Sequence, residues 1–474
     1  MAADARQARA LFDPSSFERF RFVSRELDGG GRVTLRYALD DELSFVERFQ
    51  LPLPDPTREL AESERERVAG LLGLLHWVAG VSYYKTALPP VIEFASAPPP
   101  PAVVALLEAL YSEGLAELAY VNALRDVPRP WFAGCAIVEA AVSGHLDDAP
   151  PAPTPQRVLV PVGGGKDSAV ALEIVRRSGC GVALFSVGDA APIARTAVAS
   201  GLPRLLATRT LDPGLRALNE AGAINGHVPI TAIVSCVALL TAALNGFDAV
   251  AMANERSASV GNVRWKGVEV NHQFSKGARA ERLLRAALAE VAPSGSPGGA
   301  SVQLFSVLRP ASELAVARAF ARLERYHGAF TSCNALFRGD PARRASSWCC
   351  ECPKCRFVFL ALAPFSEPGH LREVFGRDLL DEDQQFEGFA LLTATGGHKP
   401  FECVGEEQES IAAIRLLAED PRWRSHRVVA RLAAEVLPGF ASDEGDPERV
   451  LALNDDEHAV PAALLADVHA LLGA

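Results

Sequence analysis

The chain has 474 residues, of which 49% are hydrophobic and 22% charged, so it can form two or three ordinary globular domains. Its formal net charge of −11 disfavours a nucleic-acid partner, because nucleic acids usually bind a basic stripe. The sequence has no run of 18 uncharged apolar residues, and its N-terminus lacks the apolar stretch of a secretory signal. We therefore expect a cytoplasmic protein without a membrane partner.

The N-terminal third combines strand and helix patterns. Residues 16–53 alternate between apolar and polar side chains, which predicts a hairpin or a small antiparallel sheet. Residues 57–145 have a helical pattern that Pro98–Pro101 interrupts, and the proline-rich stretch 147–157 predicts a domain boundary. We expect residues 1–150 to form an α+β domain that binds substrate.

The middle of the chain alternates between strands and helices. Strands are predicted at 158–162, 182–187, 204–207 and 248–253, and helices at 168–178, 190–200 and 229–245. This order predicts an α/β fold with a parallel sheet and with ligands at the carboxyl ends of its strands. We assign residues 151–365 to this core domain and predict a mainly helical region over 366–474.

A glycine loop connects the first predicted core strand to its helix. Gly163, Gly164 and Gly165 let the backbone approach a phosphate closely, and the N-terminus of the helix attracts negative charge. Asp167 would repel a phosphate unless a cation lies between them, which favours Mg²⁺. Neither the Walker loop nor the dinucleotide-binding pattern has this spacing. The alternative is a structural turn that binds no ligand.

Three later segments place polar residues at predicted strand ends or helix starts. Their candidate residues are Asn225 and His227, then Asn254, Glu255, Arg256, Ser257 and Asn262, and finally His272 and Lys276. Histidine titrates near neutral pH, and a lysine can hold a phosphate or a carboxylate. The alternative for each segment is that its side chains only cap neighbouring backbone.

Five of the nine cysteines lie between residues 333 and 355. Four of them have a spacing compatible with tetrahedral Zn²⁺: Cys333, Cys349, Cys352 and Cys355. Cys350 is a spare thiol in this arrangement. Buried reduced cysteines or a catalytic thiol remain alternatives.

The segment GGGKDS resembles the SGGxDS loop of the PP-loop ATP pyrophosphatases, which split ATP into AMP and pyrophosphate. Gly164, Gly165, Asp167 and Ser168 match, whereas Gly163 replaces the serine. Together with NGHVPITAI, NERSASVGN, VNHQFSK and the cysteine cluster, the loop is similar to the UDP-N-acetyl-α-D-muramoyl-L-alanyl-L-glutamate epimerase family. This resemblance covers most of the chain and implies a role in peptidoglycan synthesis, and hence in cell shape and division.

The resemblance implies that ATP and Mg²⁺ activate a glutamate carboxylate as an acyl-adenylate before its α-carbon is inverted. The residues implied to bind ATP are Gly163, Gly164, Gly165, Lys166, Asp167, Ser168 and Ser186, with Asp167 on Mg²⁺. Those implied in proton transfer are His227, Glu255 and His272. Those implied to position substrate are Asn225, Asn254, Arg256, Ser257, Asn262 and Lys276.

Two other functions use part of the same pattern. The 7-cyano-7-deazaguanine synthases also adenylate a carboxylate and carry a four-cysteine zinc cluster, but the N-terminal domain and the later motifs disfavour them. An ATP-binding sensor would not need the carboxylate of Asp167. The sequence does not indicate an oligomeric state.

Overall fold

The structure is a computed structural model that describes residues 12–55, 59–135, 153–292, 302–337, 345 and 347–473. The strands are β1 (Arg19–Leu27), β2 (Arg32–Leu39), β3 (Leu43–Gln50), β4 (Val91–Phe94), β5 (Trp131–Phe132), β6 (Arg157–Pro161), β7 (Gly181–Val187), β8 (Arg204–Thr210), β9 (Ala249–Met252), β10 (Val263–Trp265), β11 (Val268–Val270) and β12 (Gln303–Ser306). The α-helices are α1 (Glu62–Ala79), α2 (Val81–Tyr84), α3 (Pro101–Tyr111), α4 (Ala116–Val121), α5 (Lys166–Arg177), α6 (Ala191–Ser200), α7 (Gly214–Ala221), α8 (Ile230–Asn245), α9 (Ala278–Val291), α10 (Glu313–Ala321), α11 (Pro353–Leu362), α12 (Pro368–Phe375), α13 (Phe386–Ala390), α14 (Glu407–Glu419), α15 (Arg427–Arg431), α16 (Pro447–Leu451) and α17 (Ala462–Leu472).

A single ten-stranded sheet runs through the molecule in the order β12-β9-β6-β7-β8-β3-β2-β1-β4-β5. The five strands from β12 to β8 are parallel, whereas β1, β2 and β3 form an antiparallel meander. The two parts meet where β3 pairs antiparallel with β8. The predicted α/β fold with a large, mostly parallel sheet is therefore confirmed. The division into three domains stays a prediction, and the part of its proposed 147–157 boundary before residue 153 lies outside the described residues.

Strand order reverses at β6. The chain runs from β6 to β7 and β8 on one side and then returns to β9 and β12 on the other. In such sheets two strands flank the reversal, and the loops that follow them lead to opposite faces of the sheet. The separation of these loops leaves a crevice at the carboxyl ends of the two strands. The fold thus places a crevice directly beside the loop that follows β6.

Apolar side chains of the parallel strands alternate between two cores. Val158 and Val160 of β6 point to the core that α5, α10, α11, α14 and α17 build, whereas Leu159 points to the core of α1, α3, α8 and α9. Both faces of these strands are buried, which explains their continuous apolar runs. No helix in the described part of the chain is long and apolar enough to cross a membrane.

The predicted core strands and helices are present with small shifts at their ends, and the antiparallel strands of residues 16–53 are present as β1, β2 and β3. The helical prediction for 57–145 missed two short strands, β4 and β5, which extend the sheet beside β1. α3 begins at Pro101, the end of the proline run. After β12, every regular element in the described residues is helical.

A buried ion pair lies at the junction of β3 and β8. Arg209 Nε lies 2.5 Å from Glu47 Oε1, and the Glu47 side chain is fully buried. Arg209 also donates to Ser82 Oγ at 2.9 Å. Burial raises the pKa of Glu47, and Arg209 opposes this shift. The guanidinium therefore compensates a carboxylate that water cannot reach.

We expect Arg209→Met to lower the free energy of unfolding by about 3–5 kcal/mol at pH 7, because it leaves a buried charge unpaired. The loss should shrink as the pH falls, since Glu47 then takes up a proton and no longer needs the arginine. Urea unfolding at pH 7 and pH 5 measures both effects. Arg216→Met, in an exposed pair with Glu220, is the control and should change little. Equal losses in the two variants would contradict the assigned role of Arg209.

Candidate active site

A cavity of about 340 Å³ lies at the carboxyl ends of β6, β7 and β9, beside the strand reversal. The predicted site residues that line it are Gly163, Gly165, Asp167, Ser168, Ser186, Asn254 and Lys276. Ile230 and Thr231 at the start of α8 form part of its wall. The cavity has the position that parallel α/β sheets use for ligands.

The glycine loop turns β6 into α5 with its backbone facing the cavity. Gly164 has a φ of +81°, and a Cβ there would lie 2.6 Å from Pro192 Cβ. A Cβ on Gly165 would lie 2.7 Å from Ser332 Oγ, whereas one on Gly163 would meet nothing within 4 Å. Packing and a positive φ therefore require glycine at position 164, a side chain at 165 would displace Ser332, and Gly163 leaves open space. α5 begins at Lys166, so its first N–H groups lie at this loop.

Two polar side chains near the loop have capacity for a ligand. Ser186 is the second-last residue of β7, and its buried Oγ has no hydrogen-bond partner among the described residues. Ser168 donates to the carbonyl of Gly165 at 3.0 Å, which leaves the lone pairs of its oxygen available. Both residues line the cavity.

Three carboxylates converge next to the loop. One oxygen each from Asp167, Glu255 and Glu313 lies within 4.8 Å of the others. Lys166 pairs with Asp167 and lies 3.1 Å from Glu313, and Lys354 lies 3.4 Å from the other Glu313 oxygen. Such a group of hard oxygen ligands suits Mg²⁺.

The two buried glutamates of this group have opposite pKa shifts. Burial would raise the pKa of Glu313, but Lys166, Lys354 and Lys276 lower it to about 2. Burial and the charge of Glu313 raise the pKa of Glu255 to about 7. Oε2 of Glu255 has no hydrogen-bond partner in the described part of the chain. The nearby lysines therefore do not fully compensate a negative charge on Glu255.

Two of the predicted proton-transfer residues are in contact. The rings of His227 and His272 lie 4.2 Å apart, and His272 Nδ1 lies 2.6 Å from Glu117 Oε2. Burial alone would lower the pKa of His272, but Cys403 and Glu117 raise it to about 9. Burial and the neighbouring His272 lower the pKa of His227 to about 4. At neutral pH His272 is therefore charged and His227 is neutral.

The polar residues of the later loops divide into two groups. Asn254 lines the cavity and donates to Ser306 Oγ at 3.0 Å. Asn262 accepts from the backbone of His272 at 2.9 Å and donates to the carbonyl of Pro400 at 2.8 Å. Asn262 thus holds the loop that carries His272.

Asn225, Arg256 and Ser257 do not line the cavity. Arg256 donates to the carbonyls of Pro310 and Ala452, at 3.3 and 3.4 Å. Ser257 donates to Glu409 Oε1 at 2.5 Å, and Asn225 Oδ1 accepts from Lys85 Nζ at 2.6 Å. In this structure these contacts support the loops around the site.

The cysteine cluster forms beside the start of α11. Sulfur atoms of Cys333, Cys349, Cys352 and Cys355 lie within 4.8 Å of one another. Cys355 Sγ is 3.5 Å from Cys352 Sγ and 3.8 Å from Cys349 Sγ. Four thiolates at Zn–S bonds of about 2.3 Å have sulfur separations of about 3.8 Å. Cys350, with a φ of +61°, turns away from the cluster, and its thiol approaches the carbonyl of Phe375 at 3.5 Å.

Several residues of the site escape sequence reasoning. Glu313 is the first residue of α10 and Lys354 the second of α11, and their local pattern indicates only helix starts. Cys403 lines the cavity next to Lys276, although it is more than 120 residues away in sequence. Glu117 lies in α4 of the N-terminal part. No local signal marks these four residues, because long-range packing brings Lys354 and Cys403 to the cavity, Glu313 to Lys166, and Glu117 to His272.

The geometry defines an α/β protein in which a glycine loop, Asp167 and Lys276 line one cavity, with Glu255 and Glu313 clustered beside Asp167. Two family models match the chain, described as the MurL N-terminal domain over residues 11–297 and the MurL C-terminal domain over 329–446. The chain belongs to the UDP-N-acetyl-α-D-muramoyl-L-alanyl-L-glutamate epimerase family.

Relatives with this epimerase name come from three bacteria. The protein of Salinispora tropica is 47% identical over 88% of both chains. That of Micromonospora sp. is 46% identical over 94% of this chain and 96% of its own, and that of Xanthomonas oryzae pv. oryzae is 40% identical over 97% and 99%. No solved structure matches the chain.

We expect Gly164→Ala to destabilise the protein by about 1–3 kcal/mol, because alanine disfavours its positive φ and its Cβ would clash with Pro192. Gly163→Ala is the matched control and should unfold at the wild-type denaturant concentration, since its Cβ enters open space. Guanidinium unfolding monitored by circular dichroism compares the two. A destabilisation by Gly163→Ala as large as that by Gly164→Ala would contradict the loop geometry.

Proposed function

We propose that this protein is an ATP-dependent epimerase that converts UDP-MurNAc-L-Ala-L-Glu into UDP-MurNAc-L-Ala-D-Glu. The reaction would proceed through an acyl-adenylate and release AMP and pyrophosphate in the cytoplasm. The names of the relatives support the isomerase class and the substrate. The observation that supports the ATP-dependent part is a cavity lined by the glycine loop, Asp167 and Lys276, with Glu255 and Glu313 clustered beside Asp167.

The residues at the loop fit a nucleotide triphosphate. We assign the phosphates to the backbone of Gly163, Gly164 and Gly165 and the first turn of α5, with hydroxyl groups from Ser168 and Ser186. The unpaired Oγ of Ser186 and the open space at Gly163 support this assignment. On this assignment, ATP cleavage of the PP-loop type would take place here.

The carboxylate cluster fits Mg²⁺, with Asp167, Glu255 and Glu313 as its candidate ligands. When bound, the ion would neutralise phosphate charge and draw electron density from the bond to pyrophosphate. The unpaired Oε2 of Glu255 supports this role, because a cation would satisfy it. Lys166 would hold Asp167 and Glu313 in place.

Adenylation solves a chemical problem of the inversion. The α-proton of a glutamate residue is a very weak acid while the neighbouring carboxylate is charged. As an acyl-adenylate the carboxyl group loses that charge and can delocalise the electron pair that the proton leaves behind. A base can then remove the proton, and reprotonation from the other face inverts the centre. Hydrolysis to AMP makes the inversion directional.

The charges around the cavity suit such a substrate. Lys276 lines the cavity, and Glu255 and Cys403 raise its pKa, so it stays protonated and can bind a carboxylate or phosphate. Asn254 adds an amide at the same wall. The charged His272 and the neutral His227 are candidates for moving protons near the reacting carbon.

The identity of the products tests this proposal. With Mg²⁺, ATP and UDP-MurNAc-L-Ala-L-Glu, we expect AMP, pyrophosphate and the D-Glu product, measured by chromatography and chiral analysis. Asp167→Asn should lower AMP formation by about 10²-fold or more, because one ligand of the activating cation is lost. Asp41→Asn, at an exposed carboxylate far along the sheet, is the control. ADP formation, AMP without inversion, or ATP binding without turnover would contradict the proposal.

We also propose that the cysteine cluster binds a structural Zn²⁺. The four sulfur atoms lie within 4.8 Å of one another, which is the spacing that a tetrahedral thiolate site needs. The cluster contains no residue that lines the cavity, so the metal would hold α11 and not the substrate. Lys354 lies between two of the cysteines, and the cluster therefore positions the partner of Glu313.

We expect the purified protein to contain one zinc per chain by elemental mass spectrometry. Cys352→Ser should lose the zinc and lower the melting temperature, because three ligands hold the ion less tightly. Cys350→Ser is the matched control within the same loop and should keep its zinc, since that thiol points away from the cluster. Zinc far below one per chain in the wild-type protein would count against the metal site.

A further inference from the structure

Cys403 is a thiol at the cavity that the proposed chemistry does not yet use. It lines the same cavity as the glycine loop and Lys276. The cysteine cluster does not include it, and in the described residues it forms no disulfide. A polar group that faces a cavity next to a charged histidine and a charged lysine is in a position to react.

The backbone around Cys403 is held firmly over the loops of the site. Pro400 accepts a hydrogen bond from Asn262 Nδ2 at 2.8 Å, and Val404 accepts one from Gln273 Nε2 at 3.1 Å. Asn262 also accepts from the backbone of His272 at 2.9 Å, and Gln273 accepts from Lys276 Nζ at 3.3 Å. The position of the thiol relative to both cations is therefore set by the fold.

The charges that face Cys403 favour its thiolate. Burial would raise the pKa of this thiol, but Lys276, His272 and Lys354 lower it to about 6. His272, which is itself held by Glu117, is one of the charges that act on the sulfur. Glu117, His272 and Cys403 thus form a chain in which a carboxylate orients an imidazolium, which in turn stabilises a thiolate.

We propose that Cys403 is a catalytic residue of the epimerisation, and that its thiolate removes the α-proton of the activated glutamate. This inference rests on the proposed function. His272 and Glu117 are then positioning residues, which act on the reaction through the sulfur. Lys276 serves both the thiolate and the substrate.

This step transfers one proton to the sulfur and leaves one electron pair on the substrate. The α C–H bond breaks and an S–H bond forms, while the electron pair moves into the carbonyl of the acyl-adenylate and gives an enolate. An acid that exchanges with solvent returns a proton to the opposite face of the α-carbon. Cys403 then releases its proton to water, and hydrolysis of the adenylate consumes one water. The step needs no oxidant or reductant.

Cys403→Ser tests the assignment with the full-length protein. We expect the variant to keep the ATP–pyrophosphate exchange that reports adenylation, while deuterium uptake from D₂O at the α-carbon falls by about 10²–10⁴-fold. Cys135→Ser, at a thiol outside the cavity, is the control and should retain both activities. Thermal melting verifies that both variants fold.

Alkylation of the wild-type protein gives a second test that needs no substrate. The rate at which iodoacetamide modifies Cys403, followed by peptide mass spectrometry, should rise with a midpoint near pH 6. His272→Gln should move the midpoint upward, because the thiolate loses its charged neighbour. A midpoint near the ordinary cysteine value of about 8.5 would overturn the assigned thiolate.

The remaining outcomes are distinct. Wild-type deuterium uptake in Cys403→Ser would overturn this inference and leave the proposed function intact. Loss of pyrophosphate exchange in the folded variant would also overturn this inference, because the thiol would then act in activation. A substrate thioester trapped on Cys403 during turnover would overturn it too, because the thiol would then act as a nucleophile. A wild-type protein that forms neither AMP nor the D-Glu product would overturn the proposed function itself.

Discussion

Glu313 lies between two buried lysines, and much of the site depends on this arrangement. Lys166 begins the helix after the glycine loop, and Lys354 is the second residue of α11, which follows Cys352 and contains Cys355. Buried charges are costly unless they are paired, so the three helix starts can approach only in this combination. Glu409 adds to it, because its Oε1 accepts from the backbone of Glu313 at 2.6 Å. Removing Glu313 would leave the charges of Lys166 and Lys354 in the interior without this partner.

This charge network connects two parts of the chain that have different tasks. The parallel strands supply the loop and the crevice, which arise from strand order. The C-terminal part supplies Lys354 and Cys403, which reach the cavity from the far end of the sequence. The cysteine cluster fixes the start of α11 and so holds Lys354 opposite Glu313. The cavity is in this way completed by residues that the sheet alone does not provide.

Local sequence patterns predicted the elements whose conformation depends on neighbouring residues in the chain. The core strands, the turn at the glycines and the helix after them follow from apolar periodicity and from the freedom of glycine. Cys350 could also be set apart from the four other cysteines by spacing alone. The pairing of β3 with β8 could not be predicted, because it joins segments about 160 residues apart and its register depends on Arg209 and Glu47. Glu117 and Cys403 escaped for the same reason, since each meets His272 only after the loops have packed.

The junction of β3 and β8 has a consequence for how this chain can be divided. β8 would otherwise be an edge strand, with a row of free backbone groups that can pair with another molecule. The N-terminal meander covers that edge, so it protects the parallel strands from self-association. A truncated chain that begins just before β6 would retain the glycine loop but would expose the unpaired backbone groups of β8. Aggregation of such a fragment would then reflect the lost cover and not a defect in the loop.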